Sequence, residues 1–371
     1  MTRVQKTIAV LAGDGIGPEV TRAAVSVLEE CASALGHRFD FIALPFGGIA
    51  IDRCGEPLPA ETLDACRKAD AVLLGAVGGA QWDSQPLNRR PEAGLLGLRK
   101  ELGLYINVRP VKLLGALRAM CPVRLDEGET IDMEIVRELA GGIYFGPRQS
   151  SGSNGDEIAS DMEVYSAKEI ERVALYAFRR AAARSKRLAS IDKANVLASS
   201  GLWRRTVERT AKGFPEVKLD SLYVDNAALQ LVLRPAQFDV MLTSNMFGDI
   251  LSDEAAALAG SIGLIPSMSL GNGTALYEPI HGSAPQLAGK NSANPIGAIL
   301  CAAMLLRESF GLPREAMAVE KAVEHALAAG FRTPDIVRGG SRMIGCSEMA
   351  AQIRAAVAES AMETEKYGWG V

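Results

Sequence analysis

Two acidic residues in an apolar segment pose the first chemical question of this sequence. Asp249 and Asp253 lie four residues apart in NMFGDILSDEAAALAG, which spans residues 245–260. In a helix this spacing puts both carboxylates on one face. Like charges repel at that distance, and a buried carboxylate needs a compensating partner. The pair indicates a bound cation, although the helix dipole also favours Asp near a helix start.

A third carboxylate, Asp225, follows the predicted apolar strand KLDSLYV, just as Asp249 follows FDVMLTS. Open α/β sheets bind ligands at the carboxyl ends of their strands. Three carboxylates without a neighbouring His or Cys suit Mg²⁺ or Mn²⁺, which prefer oxygen ligands. The sequence therefore predicts a divalent-cation site.

Three arginines, Arg99, Arg109 and Arg137, lie near Gly-rich turns. An isolated Arg is usually a solvated surface residue. The planar guanidinium group also binds a carboxylate through two parallel hydrogen bonds. The three together predict an anion site.

Two further residues have side chains that can move protons. Tyr144 lies between glycines in GGIYFG. It is either a buried strand residue or an acid whose pKa nearby cations must lower. Lys193 follows a predicted strand in SIDKANVL. A lysine there is commonly exposed, but beside other cations it becomes a base.

Two Gly-containing segments bear on cofactor binding. His281, one of three histidines, lies in LYEPIHGSAPQLAGKNSANP, where it is either an ordinary loop residue or a partner for adenine. Residues 13–19, GDGIGPE, depart from the G-x-G-x-x-G fingerprint, and no acidic residue marks a ribose ligand after a second strand. The segment favours a tight turn with Pro18 at a helix start rather than a Rossmann site.

The elements that must position these residues follow an alternating pattern. TIAVLAG reads as a strand and GPEVTRAAVSVLEECASAL as a helix, and later segments repeat this order. Such alternation predicts an α/β fold with parallel strands. Residues 293–311, 313–330 and 346–360 are predicted helices. Residues 146–165 are either a disordered loop or a long hairpin that reaches a partner subunit.

Composition narrows the class of protein. The 371 residues suffice for two domains. A net charge of −4 with both signs mixed argues against non-specific nucleic-acid binding. Six cysteines without a C-x-x-C pair predict reduced thiols and a cytoplasmic protein. The longest apolar run, NPIGAILCAAMLL, is too short to cross a membrane, and the N-terminus does not resemble a signal peptide.

Seven segments resemble, in family order, the isocitrate/isopropylmalate dehydrogenase family of β-hydroxyacid oxidative decarboxylases. They are GDGIGPEV, LLGAVGG, LLGLRKELGLYINVRP, GGIYFG, DKANVL, NMFGDILSDEAA and LYEPIHGSAP, and the resemblance covers residues 5–360. It implies a two-domain α/β homodimer without Rossmann topology. The larger, mainly cofactor-binding domain would comprise residues 1–107 and 257–371. The smaller domain would comprise residues 108–256, with 146–165 as the dimer arm.

The resemblance also implies a reaction: NAD-dependent oxidation of a malate-type substrate, followed by loss of CO₂. Asp249 and Asp253 would hold Mg²⁺ or Mn²⁺ together with Asp225 of the partner subunit, which also contacts substrate. Lys193, contributed across the dimer, would help remove the hydroxyl proton, and Tyr144 would protonate the enol carbon. The implied substrate ligands are Glu92, Leu95, Leu96, Arg99, Arg109 and Arg137, and the implied cofactor ligands are Gly78, His281, Gly282, Ser283, Ala284, Gln286 and Asn294.

Specificity rests on a few positions. Leu95 and Leu96 favour the isopropyl group, so the expected substrate is 3-isopropylmalate, the expected product is 4-methyl-2-oxopentanoate and the expected pathway is leucine biosynthesis. Homoisocitrate, tartrate or another alkylmalate is the alternative substrate, and a non-catalytic paralogue is the alternative class. Gln286 replaces the Asp that is typical of NAD-dependent members, which weakens discrimination against NADP.

Overall fold

The computed structural model describes residues 3–367, with side chains up to residue 359. Among these residues no helix is both long and apolar enough to cross a membrane. The strands of this part of the chain are Gln5–Gly13 (β1), Arg38–Ala43 (β2), Ala71–Ala76 (β3), Leu104–Lys112 (β4), Asp132–Glu138 (β5), Arg148–Ser151 (β6), Ile158–Asp161 (β7), Arg187–Asp192 (β8), Lys218–Tyr223 (β9), Val240–Thr243 (β10), Met268–Gly271 (β11), Leu276–Tyr277 (β12), Phe331–Arg332 (β13) and Arg342–Met343 (β14). Its α-helices are Gly17–Leu35 (α1), Gly48–Cys54 (α2), Ala60–Lys68 (α3), Pro91–Glu101 (α4), Ala167–Ala183 (α5), Ala198–Ala211 (α6), Val224–Leu233 (α7), Asn245–Ala259 (α8), Ile296–Glu308 (α9), Pro313–Ala328 (α10) and Cys346–Tyr367 (α11).

The described chain divides into two compact units. Unit 1 contains the chain up to Gly103, Leu114–Cys121 and the residues from Ala259 onward. Unit 2 contains Leu104–Leu113 and Pro122–Leu258. Residues 114–121, which the sequence analysis put in the smaller domain, pack with unit 1.

Unit 1 is built on a sheet in the order β2-β1-β3-β12-β11. The first four strands are parallel, and β11 pairs antiparallel with β12. All six residues of β3 are buried, as expected of a central strand covered on both faces. Helix α1 begins with Pro18 in its first turn and ends at Gly36, whose φ of 75° suits the left-handed cap. It packs against α9 and α11, and the predicted strand–turn–helix is thus present.

Unit 2 is built on a sheet in the order β4-β5-β10-β8-β9, in which β5, β10, β8 and β9 are parallel and β4 is antiparallel. Helix α5 covers this sheet with Ile170, Val173 and Phe178. A capping box between Ser166 and Glu169 fixes the start of α5. The carboxyl ends of four parallel strands therefore meet at one edge.

Two expectations about local structure are settled by these elements. Residues 146–165 contain the antiparallel hairpin β6–β7, all of whose residues are exposed, so the hairpin alternative agrees with the structure, whereas its reach to a partner subunit stays a prediction. Strand β9 was predicted to be apolar, but it is an edge strand whose residues are exposed except for the half-buried Leu219 and Leu222. An edge strand covered by little else needs no continuous apolar sequence.

Candidate functional site

The pair of acids on α8 points toward two arginines of the same unit. Asp249 Oδ1 accepts hydrogen bonds from Arg137 Nη1 at 2.5 Å and from Arg109 Nη2 at 3.1 Å. Arg109 Nη1 also lies 3.6 Å from Asp253. The guanidinium group of Arg109 therefore faces both carboxylates, which explains how two aspartates coexist on one helix face.

Both arginines are buried, contrary to the ordinary expectation for an isolated Arg. The Arg137 side chain is 3% exposed and the Arg109 side chain 8%. Neutral side chains hold the remaining donors: Asn245 Oδ1 accepts from Arg137, while Asn107 and Ser252 accept from Arg109. Buried guanidinium groups fixed in this way form a preorganised anion site.

Tyr144 belongs to the same cluster. It lies in a turn rather than a strand, and its hydroxyl donates to Asp249 Oδ2 at 3.1 Å. Burial raises the pKa of the Tyr144 phenol, and the Asp249 carboxylate raises it further, while Arg137 and Arg109 lower it. The pKa is thus raised rather than lowered, as a catalytic role had been expected to require, because burial and the Asp249 carboxylate outweigh the two arginines.

Lys193 and Asp225 form a second cluster at the same sheet edge. Lys193 follows β8, Asp225 lies in the first turn of α7, and Lys193 Nζ donates to Asp225 Oδ1 at 2.5 Å. This bond lowers the pKa of the Asp225 carboxyl. Asp192, which is buried, accepts two hydrogen bonds from Arg204 and one from the Ala194 N–H, and so fixes the turn that carries Lys193.

The donor atoms of α8 fit a hard divalent cation. Asp249 and Asp253 offer only carboxylate oxygens, the ligands that Mg²⁺ and Mn²⁺ prefer. The Asp253 side chain is 58% exposed, so an ion has access to it. Partial burial and the Asp249 charge raise the pKa of Asp253, which a cation would reverse. Among the described side chains of one chain, residues 3–359, no three His, Cys, Asp or Glu residues cluster as a metal site.

Arg99, the third arginine of the predicted anion site, lies in unit 1 on α4. It is buried and donates through Nη2 to the Glu278 carboxylate. Its Nε is buried and has no hydrogen-bond partner. An orphaned buried donor is costly, so this guanidinium group retains capacity to bind an acceptor. Its role toward substrate stays a prediction.

Helix α4 also carries three of the other predicted substrate residues. Leu95 and Leu96 are half-buried and Glu92 is exposed. A Cβ atom on Gly78, whose φ is 103°, would lie 2.6 Å from Glu92 Oε1. The positive φ and this close approach both favour glycine at position 78, so Gly78, a predicted cofactor ligand, lies next to Glu92, a predicted substrate ligand.

The segment around His281 fits an adenine nucleotide. His281 is buried and its Nδ1 lies 2.9 Å from the Gly282 carbonyl. Because a carbonyl only accepts, Nδ1 carries the proton and Nε2 is an acceptor. Burial lowers the pKa of His281, which keeps the ring neutral. Nε2 is buried without a partner, and an adenine amino group would satisfy it.

The residues that follow His281 leave open space beside Gly282 and adopt an unusual backbone conformation at Ala284. Nothing lies within 4 Å of a Cβ built on Gly282. Ser283 is buried, Ala284 adopts a left-handed φ of 37°, and Gln286 is exposed on a short 3₁₀ turn. Such a backbone conformation is uncommon for alanine and is concentrated at functional sites.

Asn294 is buried and its contacts are structural. Its Oδ1 accepts the Ile296 N–H at 3.0 Å, at the start of α9, and its Nδ2 donates to Asp335 at 3.0 Å. Its role toward cofactor stays a prediction.

Asp14 is a residue that the sequence analysis missed. It follows β1, is buried, and accepts backbone N–H groups of Gly48, Ile49 and Gly78, each at 2.8 Å. Burial raises the pKa of its carboxyl against the effect of these three bonds. Asp14 thus ties the turn after β1 to the turn after β3, where Gly78 lies. Its position between glycines in GDGIG was the available signal.

Comparison with known proteins identifies the family. The family model described as isocitrate/isopropylmalate dehydrogenase matches residues 7–353. The chain belongs to the isocitrate/isopropylmalate dehydrogenase family. The predicted fold class and the resemblance are thereby confirmed.

Relatives within the isocitrate/isopropylmalate dehydrogenase family are close. A protein of Geobacillus kaustophilus named 3-isopropylmalate dehydrogenase is 55% identical over 354 residues, covering 94% of this chain and 95% of the relative. One of Helicobacter hepaticus with the same name is 52% identical and covers 93% of this chain and 98% of the relative. The solved isocitrate dehydrogenase of Methylococcus capsulatus has a TM-score of 0.85 at 34% identity and covers 95% of this chain and 99% of that chain.

Gly15 provides a test of the predicted cofactor segment. Its φ is +57°, and a Cβ there would lie 1.9 Å from the Ser283 carbonyl oxygen. Gly15→Ala should displace this segment and raise KM for the predicted NAD cofactor about tenfold, or about 1.4 kcal/mol. Gly311→Ala is the matched control, because the φ of Gly311 is +65° and nothing lies within 4 Å of a Cβ built there. Equal KM values for NAD in the two variants would contradict a cofactor role for the segment.

Proposed function

We propose that this chain is an NAD-dependent 3-isopropylmalate dehydrogenase. It oxidises 3-isopropylmalate and releases CO₂ to form 4-methyl-2-oxopentanoate in leucine biosynthesis, in the cytoplasm, with Mg²⁺ or Mn²⁺. The observation that carries the proposal is the 55% identity, over nearly the full length of both chains, to a relative named for this activity. The cluster of two arginines, Tyr144 and Asp249 in unit 2 supports it independently.

The arginines bind the carboxylates of the substrate. Arg109 and Arg137 have rigid guanidinium groups in a largely buried setting, where charge-assisted bonds are strong. Both already contact the Asp249 carboxylate, which supports their use of the same donors toward a second carboxylate. Arg99, with its unpartnered Nε, is proposed as a further substrate ligand.

The proton steps divide between Tyr144 and Lys193. A phenol whose pKa is raised stays protonated at neutral pH, which suits a donor that protonates the enol carbon after CO₂ is lost. Lys193 helps to remove the substrate hydroxyl proton, a role that the resemblance implies, and its Nζ donates a hydrogen bond to the Asp225 carboxylate. The roles of both residues rest on the resemblance and on these contacts.

Asp249 and Asp253 would hold the divalent cation, completed by Asp225 of the partner subunit. When bound, the cation acts as a Lewis acid on the substrate oxygen, and the nicotinamide accepts hydride. The segment from His281 to Gln286 would hold the adenosine part of NAD. The unpartnered Nε2 of His281 and the oxygen-only ligands of α8 support these assignments.

A homodimer with shared sites is part of the proposal. Unit 2 exposes large apolar side chains on α7, on α8 and in the turn after Lys193, namely Val196, Leu229, Val232, Leu233 and Ile250. The hairpin β6–β7 adds the exposed Ile158. Several large apolar side chains exposed on neighbouring parts of the chain support a protein interface. The partner would supply Asp225 and Lys193 to the cluster around Asp249.

The direct experiment is NADH formation from 3-isopropylmalate with Mg²⁺ or Mn²⁺. The proposal expects a higher kcat/KM for this substrate than for malate, isocitrate, homoisocitrate or tartrate. A higher value for one of the others would assign that substrate instead, and no NADH from any of them would support a non-catalytic paralogue.

Leu95 tests the substrate side chain. Leu95→Ser should lower the preference for 3-isopropylmalate over malate by about 1–3 kcal/mol, the usual scale for apolar discrimination. The measurement is the ratio of the two kcat/KM values. Leu87→Ser is the matched control, because Leu87 is 66% exposed in the loop before α4. An unaltered ratio in Leu95→Ser would remove Leu95 from the substrate pocket.

Gln286 tests the cofactor preference. A carboxylate accepts two ribose hydroxyl bonds and repels a 2′-phosphate, and such charge-assisted bonds are roughly twice as strong as neutral ones. Gln286→Asp should therefore lower KM for NAD and raise the NAD/NADP ratio of kcat/KM. Gln352→Asp adds the same charge on an exposed part of α11, so it controls for the effect of one added negative charge on the whole protein. If both variants keep the wild-type ratio, Gln286 does not face the ribose.

A further inference from the structure

Asn245 lies at the start of α8, directly after β10, and is 1% exposed. Its side-chain oxygen accepts hydrogen bonds from Arg137 Nε at 3.0 Å and from Arg137 Nη2 at 2.8 Å. This leaves Nη1 on the opposite edge of the guanidinium group, where it donates to Asp249. Asn245 therefore fixes the orientation in which Arg137 presents Nη1 to Asp249.

The amide nitrogen of Asn245 is bound to a different element. Nδ2 donates to the Gly141 carbonyl at 3.0 Å, in the turn that leads to Tyr144. The Glu138 carboxylate accepts the N–H groups of Ala140 and Gly141 and holds the same turn from its other side. One side chain thus joins the guanidinium group to the segment that carries the phenol.

These contacts close a ring. From Asn245 it passes through Arg137 to Asp249, from Asp249 to the Tyr144 hydroxyl, and along the chain back to Gly141. A ring of short contacts restricts the distance between the Arg137 guanidinium group and the Tyr144 hydroxyl more tightly than either contact does alone. The Asn245 amide supplies both the acceptor and the donor that the ring needs, on two different atoms.

We propose that Asn245 is a positioning residue that sets the Tyr144 hydroxyl relative to the Arg137 guanidinium group. The inference rests on the proposed function, in which Arg137 binds the substrate carboxylate and Tyr144 donates a proton to the substrate carbon. Asn245 itself contacts neither the substrate carboxylate nor the substrate carbon in this proposal. It acts by holding the group that binds the substrate and the group that donates the proton at a fixed distance from each other.

The first test reads the position of Tyr144 without catalysis. The protein is labelled with 3-fluorotyrosine, and Tyr144→Phe assigns the ¹⁹F resonance of Tyr144. Asn245→Ala removes both side-chain contacts, and Asn245→Asp keeps the acceptor for Arg137 while it removes the donor to Gly141. Both variants should shift or broaden the Tyr144 resonance. Thr210→Ala is the control: Thr210 is buried on α6 and donates to the Thr206 carbonyl of the same helix at 2.9 Å, so the Tyr144 resonance should stay in place.

The second test reads the reaction. Asn245→Ala should lower kcat about tenfold and also raise KM for 3-isopropylmalate, because small displacements of a reacting group reduce turnover strongly. Thr210→Ala should keep both kcat and KM within about twofold, because the hydrogen bond that it removes lies within α6. Thermal unfolding of each variant confirms that the protein is folded. Where Asn245→Ala does not fold, Asn245→Asp decides the question.

An unmoved Tyr144 resonance in a folded Asn245 variant would overturn the inference, as would a kcat equal to that of wild type. Failure of the proposed function is a separate result: wild-type protein would form no NADH from 3-isopropylmalate, whereas the ¹⁹F comparison would still report whether Asn245 positions Tyr144.

Discussion

The arrangement of unit 2 depends on the charge of two buried arginines. A buried guanidinium group without a counter-charge is strongly destabilising, and removing one partner of such a pair costs about 3–5 kcal/mol. Asp249 supplies the shared counter-charge for Arg109 and Arg137. This requirement holds the Asp249 side chain against the two arginines and allows Asp253 to follow one turn later on α8, since Arg109 also faces it. The two arginines form an anion site, and the two aspartates beside them offer carboxylate oxygens that suit a cation.

Strand order decides which of these groups meet. In unit 2, β10 lies between β5 and β8, and Thr243 pairs with both Arg137 and Ile191. The residues that follow β10 therefore meet those at the end of β5, whereas the residues that follow β8 meet those that follow β9. The result is two clusters at one sheet edge, one around Asp249 and one formed by Lys193 and Asp225. A partner subunit that brings its own second cluster would complete the proposed site.

Local sequence was sufficient for much of the fold, because alternating strand and helix patterns and the Pro18–Gly36 limits of α1 are properties of short segments. Motif order was sufficient for the family. Burial of Arg137 could not be read from sequence, because an isolated Arg carries no signal of its environment. The role of Asn245 was equally hidden, since it depends on Gly141, which lies 104 positions away in the chain. Such contacts are set by tertiary packing alone.

The central claim is that Asp249 serves both the arginines and the catalytic cation. The most direct measurement is the Mn²⁺ dependence of NADH formation from 3-isopropylmalate by Asp249→Asn and wild type, with thermal unfolding of both. An amide keeps the shape of the side chain but loses the charge that a dication and two guanidinium groups require. The account predicts a turnover at least about tenfold lower and a higher Mn²⁺ requirement in a folded protein. Full activity of Asp249→Asn at limiting Mn²⁺ would contradict it.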